Sequence, residues 1–345
     1  MSARLHLLLL IGLLLVGAAN PAVGETLYRG EAPLAAGEQG GPATVALALD
    51  EVLLRLTGQT EVSLVDQFGL SQSMIRQLVL SEQRVRRQRP GPEGQAPVEE
   101  LRLQVDFDPR GVDALLADQN IPRLGRERPS ILLWLASEDE FGSRFDAGLV
   151  LESTILEQGR RLGLDIIRPL GDLQDLAEVE LIDIRGGFLD SAELSRRRYG
   201  AGMVAMLDLR QSGDGWEGRW FWRLEGLDTG LRSQSESRRQ VVVDGLEGLL
   251  SALAERFAVL PGLEGDVRRV VVEGIDDEVQ YVEVLRYLGS LSVVSDVRVM
   301  AARGSELDFE LDLAGPGFED ALAIGGVLDV VARDADDRLR VRLAR

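Results

Sequence analysis

One order of elements is written twice in this 345-residue chain, once near each end, and the repeat limits the folds open to it more than any other feature. In the first copy a short strand at Thr26 to Arg29 leads to a helix. Val45, Leu49, Val52, Leu53 and Leu56 recur there at helical spacing, between Pro42 and Gly58. A short helix follows at Gln72 to Leu80, then a strand near Gln83 to Gln88 and a breaker from Arg89 to Gly94. Leu101, Leu103, Val105 and Phe107 alternate with polar residues as a half-buried strand, and a helix runs from Pro109 to Asp118. The second copy has a strand at Val267 to Ile275, a helix capped by Asp276 or Asp277, strands at Val294 to Ala301 and Glu306 to Leu313, a helix around Phe318 to Ile324 and closing strands.

Residues repeat with the elements. Without a gap, Glu51, Val52, Leu53, Leu56, Val62, Ser63 and Val65 match Glu283, Val284, Leu285, Leu288, Val294, Ser295 and Val297. In a second block Glu100, Leu101, Asp106, Gly111, Leu116 and Ala117 match Glu306, Leu307, Asp312, Gly317, Leu322 and Ala323.

Between the copies, Ile131 to Leu135 reads as a buried strand, Gly148 to Leu162 as a helix and Leu164 to Arg168 as a second strand. A helix at Ala192 to Tyr199 leads into a strand at Met203 to Leu209. Gly215 to Glu225 and Leu231 to Arg239 read as a hairpin, and Asp244 to Leu260 as a closing helix. The expected class is therefore α+β in three mixed modules. Two similar small βαββα units, at 25–125 and 263–345, flank a larger βαβ-plus-antiparallel-hairpin domain at 126–262, with 1–24 as a signal peptide.

The signal peptide is read from Arg4, the apolar run Leu5 to Val16 and the small residues Ala22 and Gly24, with cleavage before Glu25. No later stretch reaches the ~20 apolar residues a spanning helix needs, so no transmembrane span is expected in the mature chain. The expected product is exported to the periplasm. Without cysteine it forms no disulfides and depends on its packed cores.

Composition narrows the chemistry. The one histidine is His6, cysteine is absent, and every basic residue is arginine. Ser-His-Asp and Cys-His nucleophiles, a Walker lysine and Cys/His zinc sites each need a residue that the mature chain lacks. Neither a cofactor nor a metal site is expected. A formal net charge of −19 repels nucleic acid and anionic headgroups.

Two constellations remain as candidates. Asp172 and Asp175 fall on one face at the start of a short helix, either as an acid pair or as an N-cap with a first-turn acid. Trp216, Trp220 and Trp222 share one face of a strand, either as core or as an aromatic platform for a sugar ring or an apolar partner segment. Acids at Asp106 and Asp108, at Asp308, Glu310 and Asp312, and in the turn at Asp334, Asp336 and Asp337 read as solvated faces, because no calcium-loop spacing is present. Arg84, Arg86, Arg87 and Arg89, the run Arg196 to Arg198, and the pair Arg238 and Arg239 read as surface charges paired with nearby acids.

The strings Arg128-Pro129-Ser130-Ile131-Leu132-Leu133-Trp134-Leu135-Ala136, Pro169-Leu170-Gly171-Asp172-Leu173-Gln174-Asp175, Arg198-Tyr199-Gly200-Ala201 and Trp216-Glu217-Gly218-Arg219-Trp220 resemble a Gram-negative envelope family, domain of unknown function 2066. The resemblance extends to Asp106-Phe107-Asp108 and Arg55-Leu56-Thr57-Gly58. It implies an envelope location and supplies no catalytic residue. Composition and resemblance together lead to the expectation of an exported, non-catalytic interaction or assembly protein with envelope protein partners. The competing expectation is a carboxylate-dependent enzyme acting on glycans of the peptidoglycan type.

Overall fold

The computed structural model describes residues 27–344 apart from 36, 90, 92–97, 126–127, 140–141, 146–147, 225, 261–266, 292, 314–316 and 335–337. The leader, its cleavage point and the strand start at Thr26 lie outside the described residues, as do most of the Arg89 to Gly94 breaker and part of the Asp334 to Asp337 turn. The architecture is α+β, with three sheets, the first antiparallel and the other two mixed.

In the first, β1 (Arg29–Pro33) pairs with β3 (Val98–Phe107), and β2 (Val79–Arg89) lies on the other side of β3. Helix α1 (Pro42–Thr57) opens on Pro42 at a position where a missing N–H costs nothing, and closes on Gly58 at φ 70°. Its stripe Val45, Leu49, Val52, Leu53 and Leu56 is buried against the sheet. The approach is close enough that a Cβ on Gly30 of β1 would lie 1.8 Å from the Ala48 carbonyl oxygen. Short helices α2 (Leu64–Gln67) and α3 (Gln72–Leu78) precede β2, and α4 (Pro109–Asp118) follows β3.

The central sheet is built on β4 (Ile131–Asp139), which pairs in parallel with β7 (Met203–Ser212). The other edge of β4 takes the short parallel β6 (Ile166–Ile167) and, further along, the antiparallel β5 (Gly142–Arg144). Beyond β7 lie β8 (Gly215–Leu224) and β9 (Leu227–Ser235), both antiparallel. Residues 131–137 of β4 are all buried because both faces of the sheet are covered. Ile131, Leu133 and Leu135 meet α5 (Gly148–Leu162) and α9 (Arg238–Phe257). Leu132, Trp134 and Ala136 meet a layer made of α6 (Leu173–Glu178), α7 (Leu181–Gly186), a 3-10 turn (Leu189–Ala192) and α8 (Glu193–Arg198).

The third sheet has the order β11-β12-β10-β14-β13, from β10 (Val267–Glu273), β11 (Val294–Arg303), β12 (Glu306–Leu313), β13 (Leu328–Arg333) and β14 (Leu339–Leu343). It is covered by α10 (Glu278–Ser290) and α11 (Phe318–Gly325) around a hydrophobic core of its own. In both end units the first strand lies beside the third, with the second outside it.

Several boundaries differ from the sequence expectation, for local reasons. The central hairpin turns at once, with Gly226 at φ 76° and Leu224 paired to Leu227, so β9 begins before Leu231 and α9 before Asp244. Leu164 belongs to the end of α5, since its N–H bonds back to the Gly159 carbonyl, and β6 shrinks to two residues. The first block of the repeat holds only through the helix. Val62, Ser63 and Val65 lie in the approach to and start of α2, whereas Val294 to Val297 form β11. The second block holds along the strand, where Leu101, Leu103, Val105 and Phe107 occupy on β3 the positions that Leu307, Phe309, Leu311 and Leu313 occupy on β12, but Gly111 lies inside α4 while Gly317 precedes α11.

Candidate functional site

Alternation along β8 does place Trp216, Trp220 and Trp222 on one face, and that face is turned into the core. Trp220 is 1% exposed, and a Cβ added to Gly245 of α9 would lie 1.9 Å from its ring, so the helix rides directly over the indole. Trp222 is buried too. Trp216 is half-buried at the end of the strand with the Arg238 guanidinium 5.6 Å above its ring. An aromatic platform needs an open face, and the packing of α9 closes this one.

Asp172 and Asp175 do come together. Asp172 caps α6 by accepting the Asp175 N–H at 3.0 Å. Asp175, 0% exposed, accepts the Gly171 N–H at 2.9 Å and the Tyr199 hydroxyl at 2.7 Å. One guanidinium serves both carboxylates: Arg198 Nη1 lies 3.0 Å from Asp175 Oδ1 and 3.0 Å from Asp172 Oδ1, and its Nη2 also bonds Asp172. Arg198 holds the Asp172 carboxyl well below the usual carboxylate range. A carboxylate held this low is not a general acid near neutral pH. The pair ties α6 to α8, and the Glu178 bond to the Ser195 hydroxyl at 2.6 Å ties them again.

The larger buried charge network passed unnoticed in the sequence. Where the first module meets α5, Arg55 donates to the Leu27, Arg29 and Arg161 carbonyls and pairs with Glu51 at 2.9 Å. Arg128 donates to the carbonyls of Leu162 and Arg55, and burial pushes its pKa down to about 9. Burial works to raise the Glu31 carboxyl, but Arg87, Arg160 and Arg102 outweigh it and hold the group low. Burial raises Glu51, with Arg55 and Arg102 opposing. These arginines meet the last carbonyls of α1 and α5, where cations are favoured. A cavity of about 420 Å³ beside them is lined by Glu31, Asp50, Glu51 and Arg161. Glu51 carried a signal only as half of the repeat match with Glu283, which is exposed.

A third arrangement is apolar. Within 170–194 the side chains of Leu170, Leu173, Leu176, Ile182, Phe188 and Leu194 are all exposed, Leu173 by 87% and Leu170 by 77%. Val179, Ile184, Leu189 and Ala192 of the same layer supply its buried side. Scattered exposed leucines are ordinary; six exposed large apolar side chains in twenty-five residues are a concentration of apolar surface on one layer.

Among the described residues no group of three or more acids is placed to hold a metal ion, and no helix is long and apolar enough to cross a membrane. A family model described as Domain of unknown function (DUF8605) matches residues 22–125. This is a different family from domain of unknown function 2066, and the resemblance drawn from the sequence is corrected accordingly. Two of the strings behind it, Ile131 to Ala136 and Trp216 to Trp220, belong largely to core strands, whose apolar pattern any doubly covered sheet requires. No curated protein and no solved structure gives a significant match.

Proposed function

We propose that this chain is an exported, non-catalytic interaction or assembly protein of the cell envelope. The observation that carries this reading is the exposed apolar row on the α6 to α8 layer, on a scaffold whose candidate acid pair is already held by Arg198. Association buries apolar surface, and a rigid helical layer presents it without ordering costs. The export component rests on Arg4, the Leu5 to Val16 run and the small residues before Glu25.

Three measurements test the reading. Intact mass of the protein recovered from the periplasm should correspond to a chain starting at Glu25; retention of residues 1–24 removes the export component. Crosslinking in the periplasm should capture a discrete protein partner. Release of reducing ends from purified cell-wall glycan, abolished by one Asp or Glu substitution, would instead make the protein an enzyme.

A further inference from the structure

We propose that the outer surface of α6 and α7 receives a cationic amphipathic helix of the partner, an inference that rests on the interaction reading above. Leu173 and Leu176 lie one turn apart on α6 and form an outward ridge, while Asp175 of the same helix is wholly buried. Ile182, on the next helix α7, is exposed as well. Ridges at this spacing accept the side-chain rows of another helix.

Charge selects the occupant. Residues 170–194 hold seven acids and one arginine. Asp172 and Asp175 are taken by Arg198, Glu193 by Arg196 and Arg197, and Asp190 by Arg223. Glu178, Glu180 and Asp183 have no arginine within salt-bridge distance among the described residues, and they fall between Leu176 and Ile182 or directly beside it. The apolar ridge is thus flanked by three carboxylates outside any ion pair among the described residues, of which Glu178 is partly offset by Arg198 and the Ser195 hydroxyl while Glu180 and Asp183 are not. A second copy docked across a two-fold axis would bring these acids against one another, on a chain whose net charge is already −19. A helix with leucine-type residues on one face and lysine or arginine at its flanks satisfies both the ridge and its rim.

The test uses the mature full-length protein and three 18-residue peptides: a leucine/lysine amphipathic helix, a leucine/glutamate helix with the same apolar face, and a scrambled leucine/lysine peptide of the same charge. The leucine/lysine helix should bind at least tenfold more tightly than either control. Leu173→Ser/Ile182→Ser and, separately, Glu180→Lys should each weaken it at least tenfold with the melting midpoint unchanged. Equal binding of the scrambled peptide, equal binding of the glutamate helix, or full binding by both variants overturns the proposal. So does a dimer in sedimentation that Leu173→Ser/Ile182→Ser dissociates. If periplasmic crosslinking still captures its partner with Leu173→Ser/Ile182→Ser, the interaction reading stands and this surface is not its site.

Discussion

The two faces of the central sheet are covered by helices in opposite ways. On one face α9 is long and continuous, buries Val241, Val242, Leu246, Leu249, Leu250 and Leu253, and meets Trp220 and Trp222 directly. On the other lie four short helical pieces; side-chain bonds among Asp172, Asp175, Glu178, Ser195, Arg198 and Tyr199 tie α6 to α8, and Leu173, Leu176 and Leu194 are exposed. A long helix can bury a full apolar stripe, whereas a helix of six residues has too few positions to do so and is fixed by polar bonds. The first face is thus sealed by one continuous helix, and the second leaves apolar side chains in water.

The largest expected break in this comparison is Trp220→Ala. Removing a fully buried ring beneath α9 should cost about 3 to 5 kcal/mol in denaturant unfolding. A loss below 1 kcal/mol would mean that α9 does not seal the strand. Next is Asp175→Ala on the opposite face, which leaves the Gly171 N–H and the Tyr199 hydroxyl without their acceptor. It should cost about 1 to 3 kcal/mol, with raised hydrogen exchange across α6 and α8. Exchange spread evenly over both faces would contradict the separation.

Acid should also act on the polar-bonded face. The Arg196 and Arg197 bonds hold Glu193 down to about 2, and Arg198 holds Asp172 low. Groups with depressed folded pKa values stabilise above their unfolded values and lose that contribution as pH falls through the folded ones. The melting midpoint should thus fall as pH drops from about 4.5 towards 2, and Glu193→Gln should flatten that slope. An unchanged slope in Glu193→Gln would remove it from the acid response. The smallest effect belongs to Leu173→Ser: an exposed side chain should change stability by less than about 0.5 kcal/mol in the same unfolding experiment. A larger loss would place Leu173 in a core.

Much of the fold was legible because its signals are local. The α1 stripe, the Val98–Phe107 alternation and the apolar β4 run each follow from spacing within one element. What escaped has weak local pattern. Helix α7, with Leu181, Ile182 and Ile184 in four residues, carries no clear period, and β5 has only three residues. The site was less legible than the fold. Alternation put the tryptophans on one face without saying whether that face was open, and three-residue spacing brought Asp172 and Asp175 together without showing the guanidinium that holds them. Arg55 and Glu51 share α1 at i,i+4 spacing, but Glu31 lies on β1 and Arg102, which meets both acids, on β3, and nothing in those segments marks them as partners.

By itself, the sequence determined the α+β class and excluded the nucleophile and metal chemistries that need lysine or cysteine. Only the tertiary structure decided which face of β8 is closed, which acids are neutralised and which leucines remain in water. Spacing within one element fixes which side chains share a face, but burial and pairing depend on what another element, distant in sequence, lays against that face.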